Sequence, residues 1–465
     1  MAEAFRIEKD TMGEVQVPAT AYYGAQTARA RDNFPISGRG LPREIIRALG
    51  MLKGAAAAVN GEAGEFAPEI ADAIQRAAAE VVEGKLDEHF VVDVFQTGSG
   101  TSSNMNANEV IANRAGELLG QELGSKAVHP NDHVNRGQSS NDVFPTAVHL
   151  GMALAVQERL LPEMAELASC LHEIANRTFD QVKTGRTHLM DAMPIRYGQE
   201  FRGYASQVAR GRKRVADAFV ELMEVPLGGT AVGTGVNAKD GFGTAVCERL
   251  TIDYGVPLRE TTDHFQAQAC VDGVVHMSGA LRSFAAALYK VANDVRWMAS
   301  GPLTGLGELR IPAVQPGSSI MPAKVNPVIC EAVLMLCGQV MANDQAVAFG
   351  NSQGQFELNT MLPFIGRNGV ESVVLLANGC EMFRKRCLEG LEVSEAGAEQ
   401  VQQNPILATA LNGAIGYEAA AAIAKESAAS GRTVREIAAE QTDLAADELD
   451  RLLDPAKLAG GWGKP

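Results

Sequence analysis

Apolar side chains recur along this chain at alternating spacings of three and four. Leu281, Phe284, Leu288, Val291, Val295 and Met298 form one such seam. Val333, Leu336, Val340 and Val347 form another, with Asn343 as its only break, and Phe201, Tyr204, Val208, Val215, Ala218 and Leu222 form a third. This rhythm predicts long amphipathic helices near 201–222, 264–300 and 328–350. The longest seam runs through Ala147, Leu150, Leu154, Leu161, Met164, Ala168, Leu171 and Ala175. Asn141 and Asp142, with Pro145 behind them, mark its start, and Pro162 predicts a kink inside it. A helix near 363–390 completes a bundle of at least five.

Before that bundle, residues 42–88 read as two or three alanine-rich helices and 105–123 as one more. Residues 6–34 mix turn formers with short apolar pieces and predict an irregular arm. Past Glu395 the helical patterns shorten, which predicts a small C-terminal domain. The expected division is an N-terminal domain of the arm plus helices over 1–138, a central five-helix bundle over 139–394 and a small helical domain over 395–465.

Four polar stretches interrupt the helices. Three prolines and a glycine in P-G-S-S-I-M-P-A-K-V-N-P, Pro316–Pro327, forbid a continuous helix there. Adjacent serines, one lysine and one asparagine on such a loop suit a small carboxylate. F-Q-T-G-S-G-T-S-S-N-M-N-A-N, Phe95–Asn108, places hydroxyls and glycines ahead of a helix, where N–H groups attract carboxylates. H-P-N-D-H-V-N-R-G-Q-S-S-N-D, His129–Asp142, is the densest polar stretch. G-R-T-H-L-M-D, Gly185–Asp191, reads as a short polar break between helices, and a lone histidine such as His188 has no role by itself. Each of the four also has a plainer reading, as a linker, an N-cap or a polar turn.

The formal net charge is −15, which argues against nucleic acid or an anionic membrane as partner. It also means that an anionic ligand needs local positive charge in its site. The seven cysteines form no C-x-x-C pair; Cys330/Cys337 and Cys380/Cys387 are one helical repeat apart and read as small buried hydrophobes. No metal site, disulfide framework or cofactor follows, and a reducing compartment is expected. The start MAEAFRIEKD lacks an apolar or Arg-rich targeting pattern, and no uncharged apolar run is long enough to span a membrane, so the cytoplasm is the expected location. G-G-T-A-V-G-T-G-V-N, Gly228–Asn237, invites a dinucleotide reading but follows no strand and does not match G-x-G-x-x-G; close backbone packing accounts for it better.

G-S-S-I-M-P-A-K-V-N-P resembles the longest shared motif of the fumarase/aspartase superfamily. T-G-S-G-T, S-S-N-D-V-F-P-T and A-L-N-x-x-I-G-Y resemble the class II fumarase spellings, and T-H-L-x-D resembles the superfamily's second conserved region, with Met190 where Gln is usual. The resemblance spans essentially the whole chain. It implies a mainly α, three-domain fold with a central long-helix bundle, assembled as a homotetramer on a 20-helix core, each active site drawing on three subunits. It implies reversible hydration of fumarate to (S)-malate, a step of the tricarboxylic acid cycle, without metal or cofactor.

Carried over residue by residue, the resemblance makes Ser318 the base that removes the C3 proton. His188, through a bound water and paired with Glu331, serves the hydroxyl side. Lys324 and Asn326 are the candidates for stabilising the aci-carboxylate. Substrate contacts fall to Ser99, Gly100, Thr101, Ser139, Ser140, Asn141, Thr187, Ser319, Lys324, Val325 and Asn326. His129, Pro130, Asn131 and Asp132 match a second, non-catalytic dicarboxylate site; a polar turn with a capping Asp explains them equally well. Leu303 stands where fumarases commonly have Arg. Ala323 and the P-V-I after Asn326 favour the runner-up, aspartate ammonia-lyase. The superfamily's lens structural proteins have weakened sites, whereas every catalytic position here is intact.

Overall fold

The computed structural model describes residues 4–317, 319–322 and 324–464. Helices dominate, and every sheet among the described residues has two strands.

The first correction concerns the N-terminal arm, which is ordered rather than irregular. Strands β1 (Phe5–Asp10) and β2 (Gly13–Pro18) pair antiparallel from Phe5↔Pro18 to Asp10↔Gly13, and helix α1 (Ala25–Asn33) follows. A charged side chain organises this region. The Arg6 guanidinium donates to the carbonyls of Pro18, Ala21 and Tyr23, and Glu8 Oε1 holds it at 2.6 Å. Such an anchor leaves no apolar period in the sequence.

Helices α2 (Arg43–Glu62) and α3 (Pro68–Val82) pack as neighbours, α3 opening on a proline at its first position with Glu69 in the first turn. Helix α4 (Thr101–Leu118) starts four residues earlier than its pattern indicates. Helix α5 (Ser140–Ala155) continues through a π turn (Val156–Leu160) into α6 (Leu161–Arg177). The π turn answers Pro162: the proline ring would clash with the carbonyl of Glu158 four residues back, and the extra residue in that turn relieves it.

The second correction is at Val182–Arg196, where a β-hairpin replaces the expected polar break. Strands β3 (Val182–Thr187) and β4 (Met190–Arg196) pair antiparallel, with Thr187↔Met190 as the last rung. Then come α7 (Tyr197–Leu222), α8 (Phe242–Tyr254), α9 (His264–Ala269), α10 (Asp272–Met298), α11 (Val328–Asn351), α12 (Leu362–Phe383) and, after a further π turn (Arg384–Leu388), α13 (Ala396–Gln402). Short helices continue to Leu458.

The chain divides into two compact units. The first comprises residues 1–162, 213–285 and 338–377. Part of its core joins Val17, Tyr23, Ile46, Ile74, Val81, Val110, Ile111 and Val134. The second comprises residues 163–212, 286–337 and 378–465. One of its cores is the C-terminal cluster of Leu407, Leu411, Ile423, Val434, Ile437 and Leu449. Thr433 and Glu436 close a capping box at the start of Val434–Gln441 within that cluster.

Candidate active site

In the first unit, two helix N-termini present a chain of hydroxyls. Gly100 precedes α4 in the left-handed conformation, φ +75°, and a Cβ there would overlap the Phe144 ring. A Cβ on Gly98 would overlap the Thr360 backbone. Both glycines of T-G-S-G-T are therefore required by close approach. The turn they allow brings Ser99 Oγ to 2.7 Å from Thr101 Oγ1, which lies 2.7 Å from Ser140 Oγ. Thr101 and Ser140 are the first residues of α4 and α5, so these hydroxyls sit at two helix N-termini.

Ser139 and Asp142 fix the start of α5. Ser139 Oγ accepts from the Asn141 N–H at 3.2 Å, and Asp142 Oδ1 accepts from the Ser139 N–H at 2.9 Å. Asp142 Oδ2 accepts from the N–H groups of Gly228 and Thr230, at 3.1 and 2.9 Å. That is the work of the glycine-rich G-G-T-A stretch: its backbone clamps the carboxylate that orients Ser139–Asn141. Burial pushes the Asp142 carboxyl up from its ordinary value, while these N–H groups pull the other way. The Asn141 amide donates to the Ala231 carbonyl at 2.8 Å.

Thr101, Ser139, Ser140 and Thr230 line a cleft of about 630 Å³ together with Asn135 and Gln138, whereas Ser99, Gly100 and Asn141 are not among its lining residues. Sequence reading missed Asn135, Gln138, Thr230 and, behind them, Lys53. The Lys53 ammonium is fully buried and donates to Asn135 Oδ1 at 2.8 Å and Gln138 Oε1 at 3.0 Å. Burial pulls its pKa down to about 7, against the opposing field of Asp142. A signal was present, because Lys53 stands in the apolar seam of α2 between Leu49 and Ala57.

His129 caps the turn Pro130–Val134, its Nδ1 accepting from the Asp132 N–H at 3.1 Å. The four residues of the expected second site do not share one cavity: Asn131 and Asp132 line the 630 Å³ cleft, whereas His129, Pro130 and Asn131 line another of about 390 Å³. Lys126, which the sequence reading passed over, lines that second cleft and donates to the Lys9 carbonyl at 2.7 Å.

In the second unit, His188 and Leu189 are the two corner residues of the β3–β4 hairpin, at φ +56° and +61°. Positive φ at both corners is the signature of a tight hairpin turn that normally selects Asn-Gly. Thr187, His188, Leu189 and Met190 are all exposed at its tip. Beneath them lies a charged network. Arg186 reaches Glu308 with both terminal nitrogens, at 2.6 and 2.7 Å, and Lys183 Nζ meets Glu308 at 2.7 Å and Glu200 at 2.8 Å. Burial raises the Glu308 carboxyl, but the bonds from Arg186 and Lys183 outweigh it and hold the group below its ordinary value.

The Pro316–Pro327 loop closes on itself. Asn326 Nδ2 donates to the Gly317 carbonyl at 2.8 Å, and a Cβ on Gly317 would overlap Lys324 O. Ser318 and Ala323 lie outside the described residues. Ser319 and Lys324 are exposed, and Lys324, Val325 and Asn326 line a cleft of about 910 Å³ together with Arg310, Ser394 and Glu399. Glu331 sits exposed in the first turn of α11. Within the chain no described hydrogen bond or ion pair joins His188 to Glu331. Leu303 is 93% exposed. Among the described residues no group of three or more His, Cys, Asp or Glu side chains is placed to hold a metal.

The sequence matches the family model described as "Lyase" over residues 13–342 and that described as "Fumarase C C-terminus" over residues 407–460. It is 51% identical to a protein named fumarate hydratase class II from Corynebacterium glutamicum, covering 98% of this chain and 97% of that one. It is equally identical to one of the same name from Thermus thermophilus, covering 98% of each. The fold superposes on the crystal structure of the class II fumarase from Schistosoma mansoni with a TM-score of 0.94 and 36% identity, over 99% of this chain and 100% of that one.

Proposed function

The chain belongs to the class II fumarate hydratases, a lyase family, and we propose from that premise how its residues divide the work. The protein interconverts fumarate and (S)-malate by adding or removing water, a step of the tricarboxylic acid cycle. With relatives of that name at 51% identity, the ammonia-lyase alternative is not favoured.

One observation carries the placement of substrate: the hydroxyls of Thr101 and Ser140, 2.7 Å apart at two helix N-termini, line one cleft, with Ser99 Oγ bonded behind Thr101. Such a shelf offers hydroxyl donors, N–H groups and the positive ends of two helices to one carboxylate. Thr187, Ser319, Lys324, Val325 and Asn326 serve the rest of the substrate.

In the direction of elimination, Ser318 takes the C3 proton of malate, and the electron pair moves onto the neighbouring carboxylate as an aci-carboxylate. Lys324 and Asn326 stabilise that added charge. The pair then returns to form the double bond as hydroxide leaves C2, protonated through a water that His188 and Glu331 serve. General acid and base groups supply about 10²–10⁴ each, and whole enzymes need at least roughly 10⁶. The balance falls to positioning and to donors aimed at the new charge.

The working unit is a homotetramer whose sites take residues from three chains. Helix α11 supports this reading: it is strongly apolar yet mostly unburied within the chain, with Met335 and Phe349 exposed along it. Such a face on a lyase of this family is covered by further copies of the same chain. The cleft of Lys126, His129, Pro130 and Asn131 is assigned as the second dicarboxylate site. The cytoplasm is the proposed location, in keeping with seven free thiols.

Loss of the ultraviolet absorbance of fumarate, followed with and without ammonium, tests the reaction. Absorbance should fall without ammonium and at the same rate with it. A strict requirement for ammonium would overturn hydration in favour of ammonia addition.

A further inference from the structure

An enzyme of net charge −15 that binds a dianion needs a cation near its substrate, and the cleft at α4 and α5 displays few. Arg136 lines it, but its guanidinium is held by Glu65 at 2.6 Å. The charge that no other role accounts for lies one layer deeper, at Lys53 on α2.

Two features set Lys53 apart. Its side chain is 0% exposed, and its hydrogen bonds run to two neutral amides, Asn135 and Gln138, rather than to a carboxylate. Both amides line the cleft that carries Thr101 and Ser140. Asn135 Oδ1 also accepts from Asn104 Nδ2 at 3.2 Å, so three amides are oriented around the ammonium. Asp142, on α5, is the one charged group whose field reaches it among the described residues, and Asp142 is already clamped by the N–H groups of Ser139, Gly228 and Thr230. A buried ammonium whose hydrogen bonds all go to neutral dipoles is costly unless anions offset it.

We propose that Lys53 is a positioning residue of the fumarate cleft, orienting the Asn135 and Gln138 amides and supplying the buried positive charge that offsets the bound dicarboxylate. The assignment rests on Thr101, Ser139 and Ser140 binding substrate. Since burial brings Lys53 down to about 7, the charge is present on the acid side of neutrality and absent on the alkaline side. Dicarboxylate affinity therefore falls as pH rises through 7, and binding takes up a proton.

The test is equilibrium binding of succinate, which has no double bond to hydrate, to the intact enzyme between pH 6 and 9. Wild-type affinity should weaken about tenfold across neutrality, the scale of one charge acting at several ångströms through a partly screened interior. Lys53→Met should bind at the weak alkaline value throughout. Lys53→Arg, which stays charged, should bind at the tight value throughout. A wild-type pH limb that persists in Lys53→Met would overturn the proposal. Should Lys53→Met not fold, Lys53→Arg decides: a flat, tight profile supports the assignment and an unchanged limb removes it. Ser140→Ala separates the two layers, because unaltered succinate binding in that variant faults the cleft assignment, whereas lost binding there with an unaltered Lys53→Met profile faults Lys53 alone.

Discussion

Arg186 and Glu308, 122 positions apart, form a two-pronged ion pair beneath the hairpin tip that carries His188. Glu308 is wholly buried, and Lys183, equally buried, shares it. The pair joins β3 to the segment leading into the Pro316–Pro327 loop. Two non-glycine corners at positive φ are strained, and a tight charge pair two residues away helps to hold them.

Glu308→Gln leaves Lys183 and Arg186 with one carboxylate fewer and should cost about 3–5 kcal/mol of stability, the handicap of an uncompensated buried charge. Denaturant unfolding of the variant checks this. A loss under about 1 kcal/mol would mean that Glu200 alone satisfies both cations. The sign with pH follows from the depressed Glu308 value: its contribution is full above the ordinary glutamate pKa and disappears as pH falls through the folded one.

Lys53 has a linkage of the same sign, displaced to higher pH. Its pKa falls from 10.5 in the unfolded chain to about 7 in the folded one, so between these values the unfolded chain binds more protons. Wild-type stability measured against Lys53→Met should therefore rise from pH 7 towards 10, by up to about 1.4 kcal/mol per unit. Thermal unfolding of both proteins at pH 6, 7, 8 and 9 tests the slope. A constant difference would show that Lys53 keeps an ordinary pKa.

Lys324 stands exposed on the loop, beside the Asn326–Gly317 closure. If it stabilises the aci-carboxylate, Lys324→Met lowers both kcat and kcat/KM by about 10²-fold or more, the scale of one charge-stabilising donor. Steady-state kinetics separate this from ground-state binding, for which KM alone would change.

His188→Asn and Ser318→Ala should each abolish most turnover, Ser318→Ala with dicarboxylate binding nearly intact. Co-expressed, the two should restore activity, because a site drawn from several chains can take its histidine from one mutant and its serine from the other. Random assembly at equal dose gives about a quarter of wild-type sites, since symmetric interfaces do not distinguish the mutants. Folded mixed tetramers without activity would put both residues on one chain.

Sequence alone determined the long helices and the polar stretches between them. The seams of α7, α10, α11 and the α5–α6 run are local periodicities, and an apolar stripe every three or four residues leaves a helix with one buried face wherever it lies. The hydroxyls of T-G-S-G-T and S-S-N were legible as motifs for the same reason: each is contiguous. What tertiary structure alone decided was which partners meet each buried charge. Lys53 meets Asn135 across 82 positions and Arg186 meets Glu308 across 122. No window of sequence contains both members of either pair. The β1–β2 and β3–β4 hairpins escaped a reading built on helical periods, and each is tied by charged side chains, Arg6 in the first and Lys183 and Arg186 in the second. A charge enters an interior only where partners from distant segments meet it, so its place depends on the completed fold, while an apolar seam carries its instruction within itself.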